Sequence, residues 1–378
     1  RASGRPAKKV SVMMRSGLWA LAASLAPVLC VEAAENQPCS WGVDAPPYLV
    51  YPRQYVALYA DGERPALSGN LDTPFWRVSE WTEDFEDIAD GPTPRFRTRA
   101  KMRWDFDFLY VGAFLEEPDV WANLTEHDTV VYYDNDFEVF VDADGSTHAY
   151  KETEVNAVST TWDLALNKPY ADGGYENSSR VFGARGFDMV RAGMGAAARA
   201  NGPVNDPSVR NGGWAVELAL PLRGLALNTS ARLPPRAGDF WRVNFSRVEW
   251  RVIALNRGQG LHYEKDPRYK HEDNWVWSRQ GAINMHLPER WGVLQLEGAA
   301  GDAPAKPLPQ WNARAIAAAV YYAQHARAAA AGAYATTVEE LVPYAFAGTL
   351  DGSCAGLAVA LAPRPSGDFC AVVAAPDA

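Results

Sequence analysis

The residues best placed to do chemistry lie between Tyr132 and Asp144, in the run YYDNDFEVFVDAD. Asp134, Asp136, Glu138, Asp142 and Asp144 crowd around a core that alternates like a β-strand. Alternation puts Phe137, Val139 and Val141 on one face and Glu138, Phe140 and Asp142 on the other. So much negative charge beside a half-buried strand is costly unless something compensates it. The residue types admit a catalytic acid pair, a calcium site, a sugar-binding rim or a plain charged hairpin. Asp142-x-Asp144-Gly145 echoes the start of a calcium loop, but its twelfth position holds Thr153, which excludes an EF-hand. Asp-Gly between strands reads first as a hairpin turn. A structural calcium is the one cofactor the sequence suggests, with Asp134, Asp136, Asp142 and Asp144 as its ligands.

Catalysis is weakly signalled. Glycosidases need two carboxyls about 5–9 Å apart across one bond. Acids such as Glu152 and Glu154 share a strand face, but alternating acids on a strand are ordinary. No Gly-x-Ser-x-Gly occurs, the six histidines are scattered, and no CxxC pair offers metal-ligand spacing. In RVEW, Arg247 and Glu249 read as a buried ion pair propped by Trp250, since a buried acid needs a partner. The bland reading of Glu138 is likewise an ion pair, with Arg247 at the end of the sheet.

The elements that must position these residues read as strands: Phe108 to Leu115, Phe137 to Asp142, Ala149 to Ala157, Trp214 to Leu220, Phe240 to Val252 and Trp291 to Leu296. The turn signals DADG, ADGG, NGG and RAGD lie between them. The pattern predicts an all-β protein, an antiparallel β-sandwich over 63–298, with a short α-helical C-terminal appendage. Residues 34–62 form a Pro- and Tyr-rich leader and 299–310 a linker. The C-terminal extension, 311–378, holds an alanine-dense helix from Trp311, a short capped helix from Thr336 through Tyr344, and a small hairpin.

Residues 1–33 carry five basic side chains, a fourteen-residue apolar run and a small-residue exit, the pattern of a secretory signal cleaved near Ala33. A membrane span would need about 20 apolar residues. Removing the segment takes away five positive charges and one negative, which moves the net charge from −10 to −14. A chain this acidic does not seek nucleic acid or anionic membranes. The expected location is therefore extracellular. Cys354 and Cys370 could pair after export; Cys39 is then unpaired, or it pairs with one of those two.

The ordered blocks LSGNLDTPFWRVSEWTEDFEDI, RTRAKMRWDFDFLYVGAFLEEPDVWA, DNDFEVFVDADGSTHAYKETEVNAVSTTWDLALNKPYADGG, WAVELALPLRGL, GDFWRVNFSRVEW and DNWVWSRQGAINMHLPERWGVLQL resemble the family-9 carbohydrate-binding modules. That family is a β-sandwich related to the DOMON sugar- and haem-binding domains. The resemblance covers roughly residues 63–297. It implies non-catalytic binding of a glycan, accessory to polysaccharide degradation. The other readings of function are a glycoside hydrolase and an adhesion surface. The resemblance implies that Glu138 bonds sugar hydroxyls, that Tyr132 or Tyr133 stacks on the ring, and that Asn156 assists. Glu154 stands where the family carries a basic residue. The second stacking ring falls near Met285 and His286, with Trp162, Trp275 and Trp277 as further aromatic candidates.

Overall fold

The computed structural model describes residues 38–256, 258, 260–299, 304–364 and 368–374. The expected signal segment lies outside them. The chain divides into two compact units, Pro52–Lys306 and a second built from the segments on either side of it.

Among the described residues, the larger unit contains fifteen strands. They are β1 Gln54–Tyr59, β2 Glu86–Asp87, β3 Thr98–Trp104, β4 Phe108–Leu115 and β5 Asp136–Asp142. Next come β6 Lys151–Asn156, β7 Thr161–Leu166, β8 Glu176–Asn177, β9 Gly195–Ala200 and β10 Trp214–Pro221. The last are β11 Phe240–Glu249, β12 Val252–Asn256, β13 Leu261–Lys265, β14 Asp273–Val276 and β15 Gly292–Glu297.

Thirteen of these belong to one hydrogen-bonded sheet, whose main path runs β8-β7-β6-β5-β11-β15-β1-β3-β4-β10-β9. The sheet folds back on itself. Phe137, Val139 and Val141 of β5, Val243 and Phe245 of β11 and Leu294 of β15 share one core with Met102, Val111, Val216 and Leu218 of β3, β4 and β10. Two layers face each other across that core, which makes the unit a β-sandwich. The pairing is antiparallel except at β1, which runs parallel to both β15 and β3 where the layers join.

Residues 54–59, assigned to the leader from composition, are thus a strand of the sheet. Its alternation is hidden behind the Pro- and Tyr-rich run before it. β3 is cryptic for another reason: its outward Lys101 and Arg103 are buried. Lys101 Nζ donates to the carbonyl of Trp76 and Arg103 Nη1 to that of Phe75, at 2.9 Å each. The Phe75–Trp76 segment covers this outer face, packed on Tyr110 and Ala219. The remaining pair, β12 with β13, is a separate hairpin.

In the smaller unit, the helix Trp311–Ala331 ends on Gly332, whose left-handed φ of 78° lets its N–H bond the carbonyl of Ala328. The expected second helix is only a 3₁₀ turn, Val342–Tyr344, with Pro343 inside it. Ala358–Pro363 and Phe369–Ala374 form the predicted hairpin. The disulfide joins Cys39 to Cys354 and leaves Cys370 free. Cys370 is held on the hairpin opposite Ala362, so it is not the residue that closes it. No helix among the described residues is long and apolar enough to cross a membrane.

Candidate functional site

The outer face of the second layer is not covered as the first one is. Register builds its floor. Glu138, Glu154 and Trp162 stand opposite one another across β5, β6 and β7, and Phe140, Glu152 and Leu164 form the next row. All six line one pocket of about 660 Å³. Tyr132 and Tyr133 enter from the 3₁₀ turn before β5, Glu176 from β8, Tyr170 and Arg180 from the short helical turns on either side of it, and Glu272, Asn274 and His286 from the far side. On the same face, Phe140, Trp162 and Leu164 pack with Tyr150, Met285 and Trp291.

Five of the predicted binding residues therefore converge: Tyr132, Tyr133, Glu138, Trp162 and His286. Tyr133 is the open platform, 53% exposed, and meets Tyr132 edge-on at 4.9 Å between centroids. Trp162 is only 7% exposed and lies in the floor, with the Arg180 guanidinium 5.3 Å over its ring. Its indole N–H is buried and has no hydrogen-bond partner among the described residues. Tyr170 meets His286 edge-on at 4.5 Å, and His286 Nδ1 lies 3.0 Å from the Tyr150 hydroxyl.

Three predicted residues are elsewhere. Trp275 and Trp277 lie two positions apart on β14 and the residue following it, so both turn inward to the sandwich core. Trp275 packs under the Arg247 guanidinium at 5.1 Å. Trp277 covers Gly292, where any Cβ would come within 2.3 Å of the ring, and donates its N–H to Glu83 at 3.0 Å. Asn156 is fully buried and spent on structure. Its Nδ2 bonds the Leu124 carbonyl and Asp134, and its Oδ1 takes the N–H groups of Val158 and Thr160.

The four aspartates proposed for calcium do not meet. Asp136 and Asp142 begin and end a seven-residue strand, roughly 20 Å apart at about 3.3 Å per residue. Asp134 Oδ2 holds the backbone N–H groups of Asn123 and Leu124. Asp142 receives Ser146 and Thr147, and Asp144 receives Ser146 and Ser230, as a turn requires. Only Asp136 joins a cluster: one carboxylate oxygen each of Asp136, Glu138 and Glu154 lies within 4.8 Å of the others.

Electrostatics mark this floor. Arg247 does not neutralise Glu138, because it bonds Glu117 and Glu249 at 2.9 and 2.8 Å. The buried pair read from RVEW is present, with Trp275 rather than Trp250 stacked on it. Burial pushes the Glu138 carboxyl up to about 7, with the Ser246 hydroxyl pulling the other way and Glu272 adding to the rise. Burial and mutual repulsion hold Asp136, Glu152 and Glu154 well above the usual carboxylate range. Burial also lowers His286 to about 4, so that its ring is neutral at ordinary pH. Arg180 is committed to Glu176, with Nε 3.1 Å from Oε1. The pocket thus offers carboxyl oxygens and protons to hydrogen-bonding groups, between tyrosine and tryptophan rings.

Sequence reasoning noticed Glu152 only as a strand acid and missed Tyr170, Glu176, Arg180 and Glu272. The register opposite Phe140 could have placed Glu152; the others sit on a 3₁₀ turn, a two-residue strand, a one-turn helix and a loop, all too short to leave a local signal.

No protein-family model matches the chain, and no curated protein matches it. Among solved structures, it is similar to a family-9 carbohydrate-binding module from Caldicellulosiruptor kristjanssonii in complex with cellotriose. That match has 16% identity and a TM-score of 0.39, over 68% of this chain and all of the other. The corresponding complex with glucose gives 15% and 0.39 over 67% of this chain and all of the other. A protein from Bacteroides uniformis gives 14% and 0.45 over 65% of this chain and all of the other.

Proposed function

We propose that the sandwich is a non-catalytic glycan-binding module, exported and accessory to polysaccharide degradation. The observation that carries the reading is the pocket itself, in which one register row aligns Glu138, Glu154 and Trp162 beneath Tyr132, Tyr133 and Tyr170. Sugar rings present apolar C–H faces that stack on aromatic rings, and hydroxyls that pair with carboxyls and amides. The resemblance of the sequence blocks to family-9 modules supports the same reading. The Cys39–Cys354 disulfide supports export, since such bonds persist in oxidising compartments. A glycan array followed by calorimetry tests it: Glu138→Ala should abolish binding of whichever glycan the wild type captures. Unchanged affinity in that variant, or no glycan captured at all, would sink the proposal.

A second reading, a saccharide-cleaving enzyme, draws on the Glu138 carboxyl being poised to exchange a proton near neutral pH. Against it, Asp136, Glu138 and Glu154 crowd on one wall instead of flanking a bond. Turnover of a polysaccharide that disappears in Glu138→Gln would favour it.

A further inference from the structure

A second cluster, on the other face of β7, carries its own chemistry. His127 Nδ1 lies 3.0 Å from the Thr161 carbonyl oxygen and 3.1 Å from its hydroxyl. A carbonyl only accepts, so Nδ1 carries a proton, and a neutral ring leaves Nε2 as a bare lone pair. That lone pair faces three carboxylate oxygens: Asp128 Oδ1 at 3.5 Å, Asp188 Oδ1 at 3.8 Å and Asp163 Oδ2 at 4.0 Å. None is within hydrogen-bonding distance. One imidazole nitrogen and these carboxyl groups, gathered so closely, present a set of donor atoms for an ion.

Asp163 sharpens the point. It is fully buried, and its Oδ2 has no hydrogen-bond partner among the described residues. Its Oδ1 is taken by the Met189 N–H, and its own N–H donates to Asp128 Oδ1 at 3.3 Å. The Ser179 hydroxyl holds the other oxygen of Asp128, and Arg191 holds Asp188. The ligand atoms are thus fixed from behind, as outer partners of a metal site are. Ligands about 2.1 Å from a tetrahedral ion stand roughly 3.4 Å apart; here Nε2 is 3.5 and 4.0 Å from Asp128 and Asp163, and the three ligand atoms lie within 4.8 Å of one another.

We propose that His127, Asp128 and Asp163, whose ligand atoms lie within 4.8 Å of one another, form a binding site for one divalent transition metal, zinc or manganese, with Asp188 beside it. Imidazole with carboxylates suits these ions, whereas calcium takes oxygen alone. His127 and Asp188 stay accessible at 38% and 11% of their side chains, which leaves room for water as a further ligand. The ion would clamp β7 to the 179–189 segment, which carries Arg180 to the rim of the sugar pocket, so that it braces the pocket without touching its contents.

The test is calorimetric titration of the full chain, stripped with chelator, with ZnCl₂, MnCl₂ and CaCl₂ in turn, alongside thermal unfolding. One equivalent of zinc or manganese should bind and raise the Tm. His127→Ala, at a partly exposed position, should weaken binding at least tenfold while the metal-free chain still unfolds in one cooperative transition. Cobalt should give visible d–d bands in the wild type that His127→Ala removes. The proposal is overturned if neither transition metal binds stoichiometrically, as when His127 is an imidazolium paired with the acids. It is also overturned if only calcium binds, or if His127→Ala binds zinc like the wild type.

Discussion

Glu217 and Glu154 are both buried glutamates on outward faces of the sandwich, one on each layer, and their surroundings differ completely. Glu217 accepts three hydrogen bonds: from the Trp76 indole at 2.6 Å and from the backbone of Ser68 and Gly69 at 2.7 and 2.8 Å. Glu154 accepts the Tyr132 N–H at 3.0 Å and otherwise faces Asp136, Glu138 and Glu152. Like charges directly opposite across strands destabilise a sheet. The first face has its acid answered by donors and is closed over by Phe75 and Trp76. The second has its acids gathered at the bottom of an open pocket. A carboxylate that holds the fold together is surrounded by donors, while the acids gathered in the pocket are left to share protons.

That comparison can be broken most forcefully at Glu217. Glu217→Ala orphans three N–H donors at about 1–3 kcal/mol each, so a loss of at least about 3 kcal/mol is expected in urea unfolding. A change under 1 kcal/mol would show that the two acids are not so different. The pH dependence comes next. The Glu138 carboxyl rises from an ordinary 4.5 to about 7 in the fold, and Asp136, Glu152 and Glu154 move the same way. The folded state therefore binds protons that the unfolded chain has released, so this stabilisation is complete below about pH 4.5 and is lost as pH climbs through 7. Thermal unfolding at pH 5.5 should exceed that at pH 8.5, and Glu154→Gln, which stays neutral, should flatten the slope. A Tm that rises with pH would contradict the shared-proton picture. The smallest effect belongs to the rim: Tyr133→Ala should weaken the captured glycan by the ~0.5–1.5 kcal/mol of one aromatic contact, measured by calorimetry, with unfolding unchanged.

What the sequence disclosed follows from the same physics. β4, β5, β10 and β11 are legible because one of their faces is a clean apolar comb. β3 is not, because Lys101 and Arg103 look like solvent-facing residues and are in fact capped by backbone carbonyls of the covering segment. In the site, Tyr132, Glu138, Trp162 and His286 were found from a local pattern or a resemblance. Trp275 and Trp277 misled because large rings suit a binding surface and a core equally, and only the pairing of β14 with β11 decides. Arg180 and Glu272 are brought by a one-turn helix and a loop whose course no local spacing encodes.

The disulfide has a consequence in time. Cys39 and Cys354 are 315 positions apart, and the whole sandwich lies between them. At about 5–20 residues per second, Cys39 leaves the ribosome roughly a quarter of a minute to a minute before its partner. Until Cys354 emerges the covalent lock of the smaller unit cannot form, whereas every strand of the sandwich, through Glu297, has by then been made.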